Sequence, residues 1–175
     1  LRADLASTYL KATMTMYQPG QLPMYMLTWP DHRKYQSGVS ASWLINLDSL
    51  WRLQLNGRMD LINYRLISAD AKEEINILGY PDGSRNDLLK NFSAQISRKL
   101  NTSFKASFSF GYAERVPTGS ELYGFYLFNS QDNFDYIGNP QLLNETSFQA
   151  EGSLVFHKAA NRFQLTAYYQ NIQNY

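Results

Sequence analysis

The 175-residue sequence contains no cysteine. That excludes disulfide frameworks, cysteine-ligated zinc and thiol nucleophiles. It does not fix the compartment, although it suits an oxidising one. Net charge is also nearly missing. Sixteen Lys and Arg stand against 15 Asp and Glu, a balance of +1. There is thus no overall electrostatic case for nucleic acid as a partner. No stretch approaches the roughly 18 consecutive apolar residues of a membrane helix. The opening Leu1-Arg2-Ala3-Asp4 has neither a basic nor an apolar leader region. If the protein is exported, its leader is expected outside this sequence. Histidine is sparse, with only His32 and His157. A serine-histidine-acid set needs its members within hydrogen-bond reach, and none can be assembled here. The acidic pair Glu73-Glu74 reads as a solvated loop feature. Enzymatic function is not expected.

What is present is aromatic and alternating. Aromatics make up 15% of the chain, with 13 Tyr and 10 Phe, yet mean hydropathy is only -0.42. Apolar and polar residues alternate with period two in seven segments. Leu1, Ala3, Leu5 and Tyr9 mark the first, and Tyr35, Val39, Ala41, Trp43 and Ile45 the second. Trp51, Leu53, Leu55, Met59 and Leu61 mark the third, and Leu88, Phe92, Ala94 and Ile96 the fourth. Phe104, Phe108, Phe110 and Tyr112 mark the fifth, Phe148, Ala150, Leu154 and Phe156 the sixth, and Phe163, Leu165, Ala167 and Tyr169 the seventh. Successive side chains of a strand point to opposite faces, so each segment has one apolar and one polar face. Strands of about 10 residues are long enough to span a membrane.

The connections alternate too. Asn46–Leu50, Arg98–Thr102 and His157–Arg162 are short. The intervening ones, about Lys11–Lys34, Tyr64–Asp87 and Glu114–Glu145, are long. Loops beyond about 12–15 residues are uncommon in compact domains, whereas outer-membrane barrels pair short periplasmic turns with long outer loops. Their lipid face is apolar with aromatic girdles and their lumen is polar, which reconciles many aromatics with low hydropathy. The expected fold is all-β: a transmembrane antiparallel β-barrel, of which this chain supplies about seven strands. Bacterial single-chain barrels have an even number of at least 8 strands, and open edges cannot face lipid, so the whole barrel is expected to be larger. The competing class is a soluble β-sandwich carbohydrate-binding module, with Tyr and Trp as stacking platforms. It requires short loops at both ends and a polar outer face.

The third long connection begins Glu114-Arg115-Val116-Pro117-Thr118-Gly119-Ser120-Glu121-Leu122-Tyr123. It closes Ile137-Gly138-Asn139-Pro140-Gln141-Leu142-Leu143-Asn144-Glu145. This resembles the Arg-x-Pro…Glu-Leu-Tyr and Gly-Asn-Pro-x-Leu…Glu segments of TonB-dependent outer-membrane receptors, and Gln170–Tyr175 resembles a strand of their barrel. The resemblance implies that residues 1–175 are part of a C-terminal barrel domain whose plug lies outside this chain. It implies energised import of a scarce nutrient across the bacterial outer membrane, with lipid, the TonB complex and a small ligand as partners. Arg115, Pro117, Glu121, Leu122, Tyr123, Gly138, Asn139, Pro140, Leu142 and Glu145 carry the motif. Gly-Asn-Pro is also a strong turn signal, and these residues are expected to be architectural. Arg115, Glu121 and Glu145 are expected to pair near the rim.

One stretch points to chemistry. Met14-Thr15-Met16 and Met24-Tyr25-Met26 hold four of the five methionines. Residues i and i+2 of an extended chain share a face. The Gln18-Pro19-Gly20-Gln21 between the pairs is turn-prone, so the pairs can fold face to face. Thioethers are soft ligands that select Cu(I). Met14, Met16, Met24 and Met26 are therefore candidate copper ligands, with His32 as a further ligand-capture candidate beside Asp31. The competing reading is that methionine, with Tyr17, Tyr25 and Trp29, fills gaps under a loop. Met-Tyr-Met-Leu-Thr-Trp-Pro-Asp also resembles the copper-receptor subgroup of the same family. No resident cofactor is expected; copper, or another metal or metal chelate, would be cargo. Arg52, Gln54, Arg58 and Asp60 are expected to line the lumen. Tyr9, Tyr35, Trp43, Trp51, Phe104, Tyr112, Phe156 and Phe163 are expected on the lipid face or its girdles.

Overall fold

The computed structural model describes every residue except Gln18, Pro81, Asp82 and Tyr126, and gives only the backbone of Met26, Leu127 and Phe128. Seven long strands form one antiparallel sheet: β1 (Arg2–Met16), β2 (Met24–Asn46), β3 (Trp51–Leu66), β4 (Arg85–Lys99), β5 (Phe104–Arg115), β8 (Glu145–Lys158) and β9 (Asn161–Gln173). Their order is β1-β2-β3-β4-β5-β8-β9, each beside its neighbour in the chain. A small hairpin, β6 (Leu127–Asn129) with β7 (Phe134–Tyr136), lies within the β5–β8 connection. Among the described residues the one other sheet is that two-stranded hairpin, too small to supply the second layer of a sandwich.

Register explains why the alternation persists across the whole sheet. Trp43 pairs with Leu55, Leu55 with Ala94, Ala94 with Phe110, Phe110 with Ala150 and Ala150 with Tyr169. Every member of that row is apolar or aromatic, and it stays on one face. Two residues toward the short turns, Ile45, Leu53, Ile96, Phe108, Gly152 and Ala167 form the next row. Trp43, Phe108 and Leu165 are all more than half exposed, as a lipid-facing surface requires. The other face carries Gln95, Ser109, Glu151 and Tyr168 in one row and Ser97, Ser107, Ser153 and Thr166 in another. This is the lumen face. A one-residue slip in any strand would exchange the faces, so the pattern fixes the register.

The connections differ from expectation in one respect. Lys11–Lys34 is not a long loop. β1 continues to Met16 and β2 begins at Met24, so only a short turn separates them. Alternation of Thr and Tyr with Met suits a pleated ribbon, and the chain continues to pair there. The other two long connections stay long but acquire helices, α1 (Ala69–Ile77) between β3 and β4 and α2 (Gly119–Tyr123) between β5 and β8.

Both helices pack onto the lumen face at its outer end. The wall contributes Ile62, Tyr64, Leu66 and Leu89, α1 contributes Ala71 and Ile75, and the third connection contributes Val116, Leu122 and Tyr123. Ala71 and Ile75 are four residues apart, on one side of a helix. Ser68 caps α1 by accepting from the Ala71 N–H, and its hydroxyl donates to the buried Asp31 carboxylate. Burying a side chain such as Ile75 is worth about 1.5–3 kcal/mol. The hydrophobic core of this chain is thus a layer between the wall and the connections that fold back over its mouth.

Candidate functional site

Two places carry the sequence-derived candidates: the tip of the β1–β2 ribbon and the rim where α2 meets the wall. At the tip, Met14 pairs with Met26, Thr15 with Tyr25 and Met16 with Met24. The four methionine positions therefore form a block of two by two on one side of the ribbon. Opposed Cα atoms lie about 4.5–5.5 Å apart and i, i+2 neighbours about 6.6 Å apart. Met14, Met16 and Met24 are between one third and one half exposed. Tyr25 occupies the opposite side of the ribbon and Tyr17 is exposed. Trp29, opposite Ala12 on the methionine side of the ribbon, reaches α2, where its indole N–H donates to the Ser120 hydroxyl over 2.9 Å. Gln18, in the turn between the pairs, lies outside the described residues.

His32 is elsewhere. It pairs with Leu10, four β1 residues or about 13 Å of strand from the Met14–Met26 pair, and is only 3% exposed. Its Nδ1–H donates to the Pro30 carbonyl at 2.9 Å. The ring packs 5.0 Å from Tyr123 and 6.1 Å from Tyr64, with Nε2 facing Gly119; a Cβ at Gly119 would meet that nitrogen at 2.2 Å. Fifteen or so residues separate it from the β2–β3 turn, roughly 50 Å of strand, against an apolar band about 25 Å tall. It therefore lies beyond the membrane, at the mouth. Burial lowers its pKa, partly opposed by the Pro30 carbonyl and the Asp31 charge. The structure does not bring His32 to the methionines. Among the described residues no group of three His, Asp or Glu side chains is placed to hold a metal ion.

The rim is dense in polar contacts. Arg115 donates to Glu121 at 3.0 Å and to Glu145 at 2.9 Å, joining the end of β5, α2 and the start of β8. Thr118 and Glu121 form a capping box on α2. The Arg115 guanidinium, then the Thr118 N–H, hold the Glu121 carboxyl down to about 2. Tyr64 donates to the Pro117 carbonyl, and Tyr123 donates to the Gly83 carbonyl at 2.5 Å. Leu122 and Tyr123 are fully buried. Gly138 lies against the α2 backbone, where a Cβ would meet Leu122 and Tyr123 backbone atoms at 2.6 Å. Its N–H donates to the Gly124 carbonyl, and that of Asn139 to the Glu121 carbonyl.

Sequence reasoning missed Arg85. Its guanidinium donates to the Pro140 and Leu142 carbonyls and to Asn144, and pairs with Asp87 at 2.6 Å. It thereby ties the Gly-Asn-Pro segment to β4. No local motif announces this, since the partners lie 55–59 residues away. Also missed was the function of Gly38. On the lumen face Arg58 donates to Asp4 at 2.9 Å and pairs with Asp60 at 2.5 Å. A Cβ at Gly38 would meet the Arg58 guanidinium at 2.3 Å. The glycine lets one arginine lie across β2 and link β1 to β3.

Comparison with known proteins accords with this geometry. No curated protein matches the chain in sequence. Among solved structures, a protein titled "Copper transporter OprC" superposes with a TM-score of 0.71 at 16% identity, covering 99% of this chain and 27% of its own. The chain therefore spans about a quarter of that protein, and at this identity the likeness is one of fold. The family model described as "TonB dependent receptor-like, beta-barrel" matches residues 4–175. With nearly its whole length covered, the chain belongs to the TonB-dependent receptor-like β-barrel family.

Proposed function

We propose that this chain is part of the C-terminal barrel domain of a bacterial outer-membrane receptor that imports a scarce metal, with copper as cargo captured by Met14, Met16, Met24 and Met26. The observation that carries the copper reading is the cross-strand register, Met14 opposite Met26 and Met16 opposite Met24. Methionine is unbranched with several rotatable bonds, so four thioethers at these positions can converge on one ion. Sulfur donors of this kind favour Cu(I) over hard cations. Burial and the Pro30 bond leave His32 to the architecture of the mouth, so it is not part of this donor set. The structural neighbour titled a copper transporter is in keeping with this cargo. A plug outside this chain would gate the pore, and the TonB complex would supply the work.

The test is competitive Cu(I) titration of the intact receptor against a chromogenic chelator. The wild type should bind at least ten-fold more tightly than a variant carrying Met14→Leu, Met16→Leu, Met24→Leu and Met26→Leu. Equal affinity rejects copper capture at this site and leaves the barrel assignment untouched.

A further inference from the structure

The opposite mouth, where the short turns lie, concentrates cations on its lumen face. On the lumen face of the last residues before these turns, Lys99 pairs directly with Lys105, and His157 pairs directly with Arg162. Like charges placed opposite one another in a sheet are destabilising. Here the Lys99–Lys105 pair lies beside the His157–Arg162 pair. Arg52 adds another cation on the same wall, held by the Asn46 side chain at 3.1 Å. Among the described residues, no carboxylate lies within salt-bridge distance of Lys99, Lys105 or Arg162. The one acid in the turns, Asp48, is occupied by the Leu50 and Trp51 N–H groups, each at 2.6 Å. The nearest acid up this wall, Glu151, is four residues from Val155, about 13 Å along β8. Lys99, Lys105 and Arg162 line a concavity of about 780 Å³, with Leu50 and Val155 between them.

We propose that this basic concavity docks an acidic polypeptide segment at the short-turn mouth of the barrel. Three alternatives fit less well. Lipid lies on the other side of the wall, where Phe104, Phe156 and Phe163 pack at centroid distances of 5.0 and 6.2 Å. A single small anion is too small, because the cations spread from β4 to β9, three strand spacings or about 14 Å. Nucleic acid would need a far larger basic surface than one rim of a nearly neutral chain. An extended peptide repeats its side chains on one face about every 6.6 Å. Carboxylates at alternate positions therefore match cations spread over neighbouring strands, and their charge offsets the repulsion within each pair. The inference rests on the barrel's orientation, short turns inward, and is independent of the copper reading.

The experiment uses the intact receptor in neutral detergent with fluorescein-labelled octaglutamate as probe, and a photo-crosslinker at Ser103. Octaglutamate should bind with an affinity that falls as salt rises. It should bind at least ten-fold more weakly to a variant carrying Lys99→Gln, Lys105→Gln and Arg162→Gln. Lys72→Gln, at the other mouth, should leave binding unchanged and controls for net charge. If a segment of the receptor itself fills the site, the added peptide will be excluded, and the crosslink from Ser103 will map to an Asp- or Glu-rich stretch of the same polypeptide; that crosslink then supports the proposal. Octaglutamate binding no tighter than octaglutamine, with no crosslink to an acidic stretch, overturns it. So does binding of phosphatidylglycerol vesicles that the triple substitution abolishes while peptide binding is unaffected. If the triple variant fails to fold, Lys105→Gln alone should weaken the peptide measurably, and no change overturns the proposal.

Discussion

His32 shows how one residue's chemistry is set by neighbours far along the chain. Its ring is enclosed by Tyr64, Tyr123 and the Gly119 backbone, and burial is the leading cause of its lowered pKa. The folded state thus resists protonating it, while the unfolded chain takes the proton near the ordinary value of about 6.5. The stabilising contribution is present above that value and is lost as pH falls through it toward the depressed folded value. Melting of the receptor in detergent should therefore shift downward between pH 7.5 and pH 5. His32→Gln, which carries no titrating group, should lose part of that shift; an unchanged pH dependence in the variant would refute the assignment. Glu121 titrates in another window. Its folded pKa is held near 2, so its contribution is lost only as pH falls from the ordinary carboxylate range toward that value. Both partners are more than a third exposed, so solvent screening keeps the pair's worth small.

At the scale of elements, α2 is seated by backbone rather than by a long apolar face. It has only five residues, Gly119–Tyr123. Gly138 makes the close approach, and Ala there would place a methyl carbon 2.6 Å from α2 backbone atoms. Gly138→Ala should cost about 1–3 kcal/mol, the usual penalty of overpacking, and should loosen α2 with it. Gly57→Ala, at a position with open space around its Cβ, serves as the contrast. Proteolysis of the Val116–Tyr136 connection in each variant measures the difference; equal protection would contradict the seating described. The same elements show what could be read from sequence. All seven strands were legible, because a period of two on two faces leaves little freedom once lipid meets one of them. The helices were not expected, although Ser68 before α1 and the Thr118…Glu121 spacing before α2 are both ordinary N-terminal signals. Their polar composition resembles that of a loop, and the apolar residues that commit them, Ala71, Ile75 and Leu122, are few. Met14–Met16 and Met24–Met26 alternate like strands, but Pro19, Gly20 and Pro23 between them read as a long loop. The pairing depends on ribbon partners that no local window contains. Arg85 and Gly38 were invisible for the same reason.

At the scale of the whole molecule, the chain is a wall rather than a ball. Its apolar residues divide between a small core at the mouth and a broad face that stays exposed, with Leu5, Leu61, Phe163 and Leu165 each at least 60% accessible. An exposed apolar surface of that extent needs lipid, detergent or further protein. The 175-residue chain alone should sediment as aggregates in detergent-free buffer and disperse in micelles. A monodisperse species that unfolds cooperatively without detergent would contradict the assignment of faces. Across the wall, the Arg58–Asp4–Asp60 cluster spans β1 to β3, so one lumen side chain reaches over β2 to tie its two neighbours together.

The β1–β2 ribbon has one further consequence, which is arithmetical. Between His32 and Met26 its register slips twice, from Leu10 opposite His32 to Ala12 opposite Trp29, and then to Met14 opposite Met26. Each slip adds one residue to β2 and reverses which parity of residue number faces the lumen. Two reversals restore the original parity, which is why even-numbered Met24 and Met26 share a side with even-numbered Met14 and Met16. An odd number of bulges would have split the block into two pairs back to back. The proposed donor set is conditional on an even count of slips, a property of the segment beside it that belongs to none of the four methionines.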